Sequence, residues 1–290
     1  MQPTKTDILI LGAGPAGTSL ALMLLKRAPH LKIRIVEKSD FSGEKTGETL
    51  PPQIKDLMEP LGIFQHFQQE GHLPAHGTGV VWGDELLQEN NFLFQTSAPG
   101  WRIDKNKFNW FLIREAEKRG AQIDIGAKAK FTGKIQPLFH FLLTSNAGAE
   151  ELLQTPFVID ATGRSAAFAS QMGARKVRFD NLTGIWRFYQ LCGAVSGMET
   201  LVEACANGWW YSASLPGNKL VVAYMTDSDL APELLLRQGG WEQQLDSAPH
   251  TQKRLEKTEN AGELKFLPAA SQCLDALCGE GWIAVGDAAG

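Results

Sequence analysis

The chain has 290 residues, of which 43% are hydrophobic and 21% are charged. This composition is that of an ordinary globular protein, so it excludes a disordered, collagen-like or coiled-coil chain, and the length predicts about two domains. The net charge is −4 and no long block of one sign is present. A nucleic-acid partner is therefore not expected, because such proteins carry a basic face or stripe.

Cysteine usage and hydropathy indicate the compartment. No CxxC pair is formed by the four cysteines, which are Cys192, Cys205, Cys273 and Cys278. No apolar run reaches the ~18 residues of a membrane span, and the apolar run at residues 8–11 leads into glycines rather than a cleavage site. We therefore expect a cytoplasmic protein with reduced thiols and no membrane partner.

The start of the chain has the pattern of a phosphate-binding loop. An apolar strand at residues 7–11 is followed by Gly12-Ala-Gly14-Pro15-Ala16-Gly17 and then by a helix from Thr18 to Lys26. The first glycine permits a tight turn, the second lets the backbone approach a pyrophosphate, and the third lets the helix pack on the strand. The helix N-terminus presents N–H groups and its dipole to the phosphates.

A second strand, at residues 32–37, ends in an acidic residue. Glu37 stands 20 positions after Gly17, where a carboxylate can accept hydrogen bonds from the hydroxyls of an adenosine ribose. We include Lys38, the next residue, among the candidate cofactor-binding residues. Strand, glycines, helix, strand and acid in this order predict a dinucleotide site.

Three further segments place an acid or a glycine at the carboxyl end of a strand. Glu48 and Thr49 lie in Gly-Glu-Thr-Leu-Pro-Pro, Asp160 and Gly163 follow an apolar strand, and a later strand at residues 281–285 leads into Gly286-Asp287. Open α/β sheets bind their ligands at this edge.

With these motifs the sequence resembles the FAD-dependent aromatic hydroxylase superfamily, whose members share GxGxxG, a central Asp-Gly motif and a later Gly-Asp motif. The resemblance implies an α/β fold, with a Rossmann-like FAD-binding domain and a second domain built on an antiparallel β-sheet. It implies FAD as the cofactor, with Asp160 and Gly163 near the pyrophosphate. Asp287, after Gly286, is then the acid at the ribityl chain.

Glu48 and Thr49 resemble the Gly-Glu motif of the flavin-dependent tryptophan halogenase branch. Residues 101–108 resemble the Asp-Arg-x-x-Phe helix start of the family, with Lys105 in place of arginine. A lysine keeps the charge but lacks the bidentate fork that suits a phosphate.

Two departures argue against halogenation. Halogenases carry a lysine well beyond the Gly-Glu motif, which handles the hypohalous species. Between Thr49 and Arg102 this chain has only Lys55, too close to Glu48 to match. Halogenases also have a Trp-x-Trp-x-Ile-Pro motif, where residues 208–216 here read Gly-Trp-Trp-Tyr-Ser-Ala-Ser-Leu-Pro.

This tryptophan-rich run is most similar to flavoproteins that mature tryptophylquinone cofactors in bacterial amino-acid and amine oxidases. The resemblance implies a monooxygenase that hydroxylates an electron-rich ring, a tryptophan of a partner oxidase polypeptide. Its electrons come from NAD(P)H or from a partner reductase. Two alternatives remain open: a flavin-dependent reductase of the prenyl-reductase type, and a flavin-bound assembly factor without chemistry. The sequence does not indicate the oligomeric state.

The spread of the motifs predicts a discontinuous FAD-binding domain at 1–60, 101–165 and 275–290, with a substrate-binding domain at 61–100 and 166–274. A helix is expected over 104–119 with Asp104 as its cap, and a hairpin meander over 128–145. The second domain is predicted to contain strands at 183–191, 208–214 and 219–226 and helices at 231–245 and 249–258.

The candidate catalytic residues are Trp209, Trp210 and Tyr211. Adjacent residues of a strand point to opposite faces, so only one of the two tryptophans can face a flavin cleft, and Tyr211 shares the face of Trp209. Trp82 and Trp186 are further aromatic candidates. Ordinary core packing is the alternative for each of these rings.

Other candidates are weaker. His72 and His76 are separated by Pro74, which breaks any helical metal pair, so we expect no metal site and histidines in an exposed loop. Arg164 and Arg187 could hold an anionic group. The family continues beyond the Gly-Asp strand with a Pro-containing loop and a helix, so a chain ending at Gly290 is expected to lack part of the flavin pocket and to bind FAD weakly.

Overall fold

The computed structural model describes residues 2–94, 98–193, 200–231, 239–260 and 262–290. Within these ranges the strands are, in chain order, β1 (Thr4–Lys5), β2 (Ile8–Leu11), β3 (Ile33–Glu37), β4 (Glu48–Leu50), β5 (Leu73–Ala75), β6 (Gly77–Val81), β7 (Gln88–Asn91), β8 (Gly100–Ile103), β9 (Gln122–Ile125), β10 (Lys128–Ile135), β11 (Leu138–Thr144), β12 (Glu150–Thr155), β13 (Phe157–Asp160), β14 (Lys176–Arg178), β15 (Leu182–Leu191), β16 (Thr200–Cys205), β17 (Gly208–Leu215), β18 (Lys219–Asp227), β19 (Thr258–Asn260), β20 (Lys265–Pro268), β21 (Gln272–Leu274), β22 (Cys278–Gly279) and β23 (Trp282–Ala284). The helices are α1 (Pro15–Arg27), α2 (Ile54–Met58), α3 (Phe64–Gln68), α4 (Lys105–Lys118), α5 (Ala167–Gln171), α6 (Gly240–Leu245) and α7 (Pro249–Leu255).

The chain divides into two units, each made of separated segments. The first unit comprises Met1–Glu44, Asn106–Arg178 and Gln272–Gly290, and the second comprises Lys45–Lys105 and Phe179–Ser271. All four boundaries differ from the predicted ones. Residues 45–60 and 101–105 lie in the second unit, where β4 pairs with β8. Residues 166–178 and 272–274 lie in the first, where β14 pairs with β21.

The first unit is built around a six-stranded sheet in the order β22-β23-β13-β2-β3-β9. Its strands pair in parallel from β23 to β9 and only β22 is antiparallel, so their carboxyl ends meet at one edge. Leu9, Ile10 and Ile35 in its central strands are fully buried, as expected of parallel strands covered on both faces. This sheet positions the glycine loop, which follows β2.

A four-stranded sheet, in the order β1-β12-β11-β10, completes the first unit. The predicted meander over 128–145 is confirmed as β10 and β11, with β12 as a third antiparallel strand. Its apolar residues pack on the six-stranded sheet through a cluster of aromatic rings, which are Phe131, Phe139, Phe141, Phe168 and Trp282.

The second unit contains an eight-stranded sheet in the order β19-β15-β18-β17-β16-β6-β7, with β20 also paired to β15. The predicted strands at 183–191, 208–214 and 219–226 are confirmed as β15, β17 and β18, which pair antiparallel. One face of this sheet packs against α6 and α7 through Trp241, Leu245 and Ala248. A separate three-stranded sheet has the order β4-β8-β5. The α/β fold with an antiparallel second sheet is therefore as predicted.

The helices differ from the predictions at their ends. Helix α4 begins at Lys105 and ends at Lys118, close to the predicted bounds. Helix α7 ends at Leu255 because β19 begins at Thr258 and pairs with β15. Of the helix predicted over 231–245, α6 is the described part, and residues 232–238 lie outside the described residues. Among the helices of the described ranges, none is long and apolar enough to cross a membrane.

Candidate cofactor and substrate sites

The glycine loop is wound tightly against the carboxyl end of β13. Gly12 has a φ of +107°, and a Cβ added there would lie 2.3 Å from the carbonyl oxygen of Ala161. A Cβ on Gly17 would lie 2.2 Å from the carbonyl oxygen of Gly12. Both glycines are therefore required by the backbone itself, whatever binds to the loop.

Gly14 is different, because the space above it is open. It is the N-cap of α1, no side chain caps that helix, and a Cβ added there would meet nothing within 4 Å. Pro15 occupies the first turn, where an N–H is not needed. An open, uncapped helix N-terminus beside a residue without a side chain fits a pyrophosphate.

Glu37 ends β3 next to this loop. Its Oε2 accepts a hydrogen bond from the backbone N–H of Ala13 at 2.9 Å, and its Oε1 accepts one from the N–H of Ser39 at 2.7 Å. The carboxylate is thus held in place by the loop, with a second lone pair on each oxygen. The contact to a ribose stays a prediction. Lys38, beside it, is exposed.

The Gly-Asp motif lies against the start of α1. Gly286 has a φ of +59°, and a Cβ there would lie 2.6 Å from the Cβ of Ala16. The N–H of Val285 donates to the carbonyl oxygen of Asp160 at 2.9 Å, which places the end of β23 beside the end of β13. Asp287 is exposed at this point. The structure therefore brings two motifs together that are far apart in the chain.

The Asp160 carboxylate makes hydrogen bonds within the first unit. It is fully buried, and its Oδ1 accepts hydrogen bonds from the N–H and hydroxyl of Thr162. Its Oδ2 accepts from the N–H groups of Phe168 and Ala169 at 2.8 and 2.7 Å. Asp160 therefore caps α5 and shapes the turn that includes Gly163, whose φ is +66°. The place of Asp160 and Gly163 near the pyrophosphate stays a prediction.

In the second unit, Glu48 and Lys105 form an ion pair with each other. They are 57 positions apart, and β4 and β8 bring them together because Glu48 pairs with Ile103. Lys105, a candidate cofactor-binding residue, has a carboxylate as its partner, and its contact with the cofactor stays a prediction. Both side chains remain partly exposed, at 30% for Lys105 and 43% for Glu48.

Tyr211 joins this group through Thr49. Their side chains are hydrogen-bonded, and burial raises the pKa of Tyr211, to which the nearby charge of Glu48 adds. The Thr49 hydroxyl lies 3.1 Å from that of Thr200. The three hydroxyls connect β4, β17 and β16. Thr200 was not predicted from the sequence, because no spacing relates it to Thr49.

The two tryptophans of β17 have different surroundings. Trp210 is fully buried, with its ring centroid 4.8 Å from those of Tyr224 and Trp241, so it is a core residue and not a candidate catalytic one. Trp209 is half-buried on the opposite face, and its ring lies 6.0 Å from that of Trp82. Trp186 is buried beside Phe188 on the Tyr211 face.

The histidine and arginine candidates lie in different surroundings. His72 was expected in an exposed loop but is buried, because it precedes β5 and its ring packs 5.1 Å from that of Phe67; His76 is exposed. Arg187 donates to the carbonyl oxygen of Gly262 at 3.2 Å. Arg164 is half-buried beside Gly163. Within the described ranges, no three His, Cys, Asp or Glu side chains are grouped so as to hold a metal ion.

Comparison with known proteins agrees with this geometry. The family model described as "FAD binding domain" matches residues 5–263. The chain is 26% identical over 286 residues to LodB of Marinomonas mediterranea, described as an FAD-dependent oxidoreductase, an alignment that covers 98% of this chain and 77% of LodB. Among solved structures, the myxobacterial chondrochloren halogenase CndH has a TM-score of 0.88 at 18% identity, covering 99% of this chain and 69% of that one. The p-nitrophenol 4-monooxygenase PnpA of Pseudomonas putida has a TM-score of 0.79 at 13% identity, covering 99% and 74%.

Proposed function

Because the chain belongs to the FAD binding domain family, we propose that it is a monooxygenase that adds oxygen to an electron-rich aromatic ring. At the coarser level it is an FAD-dependent oxidoreductase of the halogenase and monooxygenase superfamily. The proposal concerns which of the reactions of this superfamily the chain performs.

One observation carries the choice between oxygenation and halogenation. The lysine that halogenases carry beyond the Gly-Glu motif has no counterpart between Thr49 and Arg102, where the strand β6 is Gly-Thr-Gly-Val-Val. Lys55, the one lysine in this range of the sequence, is in α2 and pairs with Glu59 at 3.6 Å. A chain without a lysine to receive a hypohalous species is suited to transfer oxygen directly.

The chain's own residues account for cofactor binding in the proposal. The open N-terminus of α1 at Gly14 would hold the pyrophosphate, Glu37 the ribose, and Asp287 the ribityl chain. When bound and reduced, FAD supplies the activation of molecular oxygen. An electron-rich ring such as indole needs no strong general base. Burial raises the pKa of Tyr211, so its hydroxyl near Glu48 stays a neutral phenol.

The finer part of the proposal is the substrate, a tryptophan side chain of a partner polypeptide. It is supported by the resemblance of residues 208–216 to flavoproteins of tryptophylquinone maturation and by the accessible ring of Trp82 beside Trp209. The proposed electron donor is NAD(P)H or a partner reductase.

A product assay tests the proposal. The flavin-loaded protein is incubated with a flavin reductase, NADH, oxygen, bromide and a tryptophan-containing peptide. The mass of the peptide is then measured by mass spectrometry. A gain of one oxygen atom, with the isotope of labelled O₂, supports monooxygenation. A gain of bromine would instead identify a halogenase, the second candidate that the likeness to CndH favours. Added hydrogen would identify a reductase, and bound flavin with no product an assembly factor.

A further inference from the structure

One end of the eight-stranded sheet combines apolar and acidic side chains. Strands β6, β16 and β18 end there and β17 begins there, as their pairing requires. The connecting residues are 82–87 after β6, 206–207 between β16 and β17, and 228–231, the described part of the connection after β18. We call these connections, together with the side chains of the last strand residues beside them, the acidic apolar end.

The apolar side chains of this end are accessible. Trp82 is 54% exposed, Leu86 is 72% exposed, and the Trp82 ring lies 6.0 Å from that of Trp209. Trp209 pairs with Met225, whose sulfur lies over Gly184, where an added Cβ would be only 2.9 Å from it. The aromatic and thioether groups thus continue across neighbouring strands. Contiguous exposed apolar surface of this kind is typical of binding sites.

In the described part of these connections the charged side chains are all acidic. Asp84, Glu85, Asp227 and Asp229 are all exposed. The segments 82–87, 206–207 and 227–231 contain four acids and neither lysine nor arginine. Carboxylates around an apolar centre attract a segment that carries positive charge and repel an acidic one. Tryptophan and methionine are the side chains that interface centres favour.

We propose that the acidic apolar end is a docking surface for a partner polypeptide in which an aromatic side chain is flanked by lysine or arginine residues. The aromatic side chain would pack against Trp82 and Trp209, and the flanking cations would pair with the carboxylates. This inference rests on the proposed function in that it names the class of polypeptide that would carry the ring to be oxidised.

Binding of synthetic peptides tests the docking surface. The flavin-loaded protein of residues 1–290 is titrated with a labelled peptide in which one tryptophan stands between pairs of lysines, and the dissociation constant is measured by fluorescence anisotropy. The W82S variant and the doubly neutralised D227N/D229N variant are each expected to weaken binding about tenfold, and the second also to flatten its salt dependence. There are two control variants. L57S removes a different exposed apolar side chain of the second unit, and E117Q neutralises an exposed acid of the first unit.

Two further peptides separate charge from ring. Replacing the lysines by glutamates, or the tryptophan by alanine, is expected to reduce binding about as much as the variants do. Equal binding of all three peptides, or equal losses in the control variants, would overturn the proposal. A concentration-dependent dimer that W82S abolishes would also overturn it, because a second copy of the chain would then be the occupant.

The test of peptide binding is independent of the test of oxygen transfer. If the lysine–tryptophan peptide binds and the variants weaken it, but no oxygen is added, the docking surface stands and the monooxygenase proposal fails. If free indole compounds gain oxygen while the peptide does not bind, the monooxygenase proposal stands and the docking surface fails.

Discussion

At the glycine loop, neighbouring glycines are required for different reasons, and substitution separates them. In Gly12→Ala the new Cβ meets the carbonyl oxygen of Ala161 at 2.3 Å in a backbone with φ of +107°. We expect a loss of about 2 kcal/mol or more in the free energy of unfolding, and FAD binding lost with it. In Gly14→Ala the Cβ meets nothing within 4 Å. The stability should then be unchanged while the dissociation constant of FAD rises about tenfold or more, because the methyl group takes the space of the pyrophosphate.

Chemical denaturation and flavin titration of both variants check this difference. Gly43→Ala is the matched control, since Gly43 is also open and lies in the same unit away from the loop. If Gly14→Ala binds FAD like the unchanged protein, the open space at Gly14 is not the pyrophosphate site.

The hydroxyl group of Tyr211 should be energetically coupled to that of Thr49. Tyr211→Phe and Thr49→Val are each expected to lower the free energy of unfolding by about 1 kcal/mol, and the double variant by less than their sum. The measurement is a double-mutant cycle in urea. Tyr224→Phe is the control, because the Tyr224 hydroxyl is buried on the other face and has no hydrogen-bond partner. A strictly additive cycle would show that the hydrogen bond between Tyr211 and Thr49 contributes nothing to stability.

Single residues show where sequence reasoning ends. The glycine loop was predictable because its residues are consecutive and their steric requirements are local. The capping role of Asp160 was not, because it depends on the chain returning eight and nine positions later with unpaired N–H groups. The pairing of Lys105 with Glu48 could not be predicted either, since Glu48 lies 57 positions away, in a strand that pairs with the residues just before α4.

Among the elements, α5 depends on a carboxylate outside it. Asp160→Asn replaces one acceptor oxygen by an amide group, so one or both of the bonds from Phe168 and Ala169 are lost inside a buried site. We expect the free energy of unfolding to fall by about 2 kcal/mol. Urea denaturation checks the value, with Asp56→Asn as an exposed helical control. Retained stability in Asp160→Asn would contradict the capping role.

Three strands of the first unit are joined by one arginine. Arg34 of β3 is 5% exposed and binds Asp124 of β9 at 2.6 Å and Glu151 of β12 through both guanidinium arms. The hydrogen bonds from Arg34 lower the pKa of Glu151 to about 2. A carboxyl group with a lowered pKa in the folded state stabilises the fold above its unfolded pKa and loses that contribution on protonation.

The stability of the protein should therefore decline as the pH falls from about 4.5 towards about 2. In Glu151→Gln the decline over this window should be smaller, and the stability at neutral pH lower, than in the unchanged protein. Thermal unfolding at several pH values measures both. Glu150→Gln, at the exposed neighbouring position, should leave the profile unchanged. Identical profiles for the two variants would contradict the role of the Arg34 pairing.

Long strands rich in aromatic and β-branched residues were predictable to within one residue, as β15, β17 and β18 show. The end of α7 was not, because residues 258–260 pair with β15, more than sixty positions earlier in the chain. Local patterns indicate whether a segment is a helix or a strand, whereas pairing with a distant strand determines where the segment ends.

At the scale of the whole molecule, the first unit needs all three of its segments. Residues 272–290 supply β21, β22 and β23, and they place Gly286 beside Ala16. A chain of residues 1–271 should therefore bind FAD more weakly than residues 1–290, as measured by flavin titration of both chains. Circular dichroism shows whether the shortened chain is folded. Flavin retained by a folded 1–271 chain would show that the last strand is not needed for the site.

The division into units was foreseen in outline from the spacing of the motifs, but its boundaries were not. The segment at residues 45–60 contains a flavin-family motif and yet belongs to the second unit, since β4 finds its hydrogen-bonding partner in β8. A motif indicates what a segment binds and not which sheet it joins.

The order in which the strands join the six-stranded sheet also has a consequence for biosynthesis. Strand β23 is placed against β13, yet about 120 residues separate them in the sequence. While residues 161–281 are being synthesised, the edge of β13 that later pairs with β23 is uncovered. Under the proposed role of Asp287 at the ribityl chain, FAD binds only after residue 287 has been synthesised, and until then the uncovered edge of β13 is open to pairing with other strands.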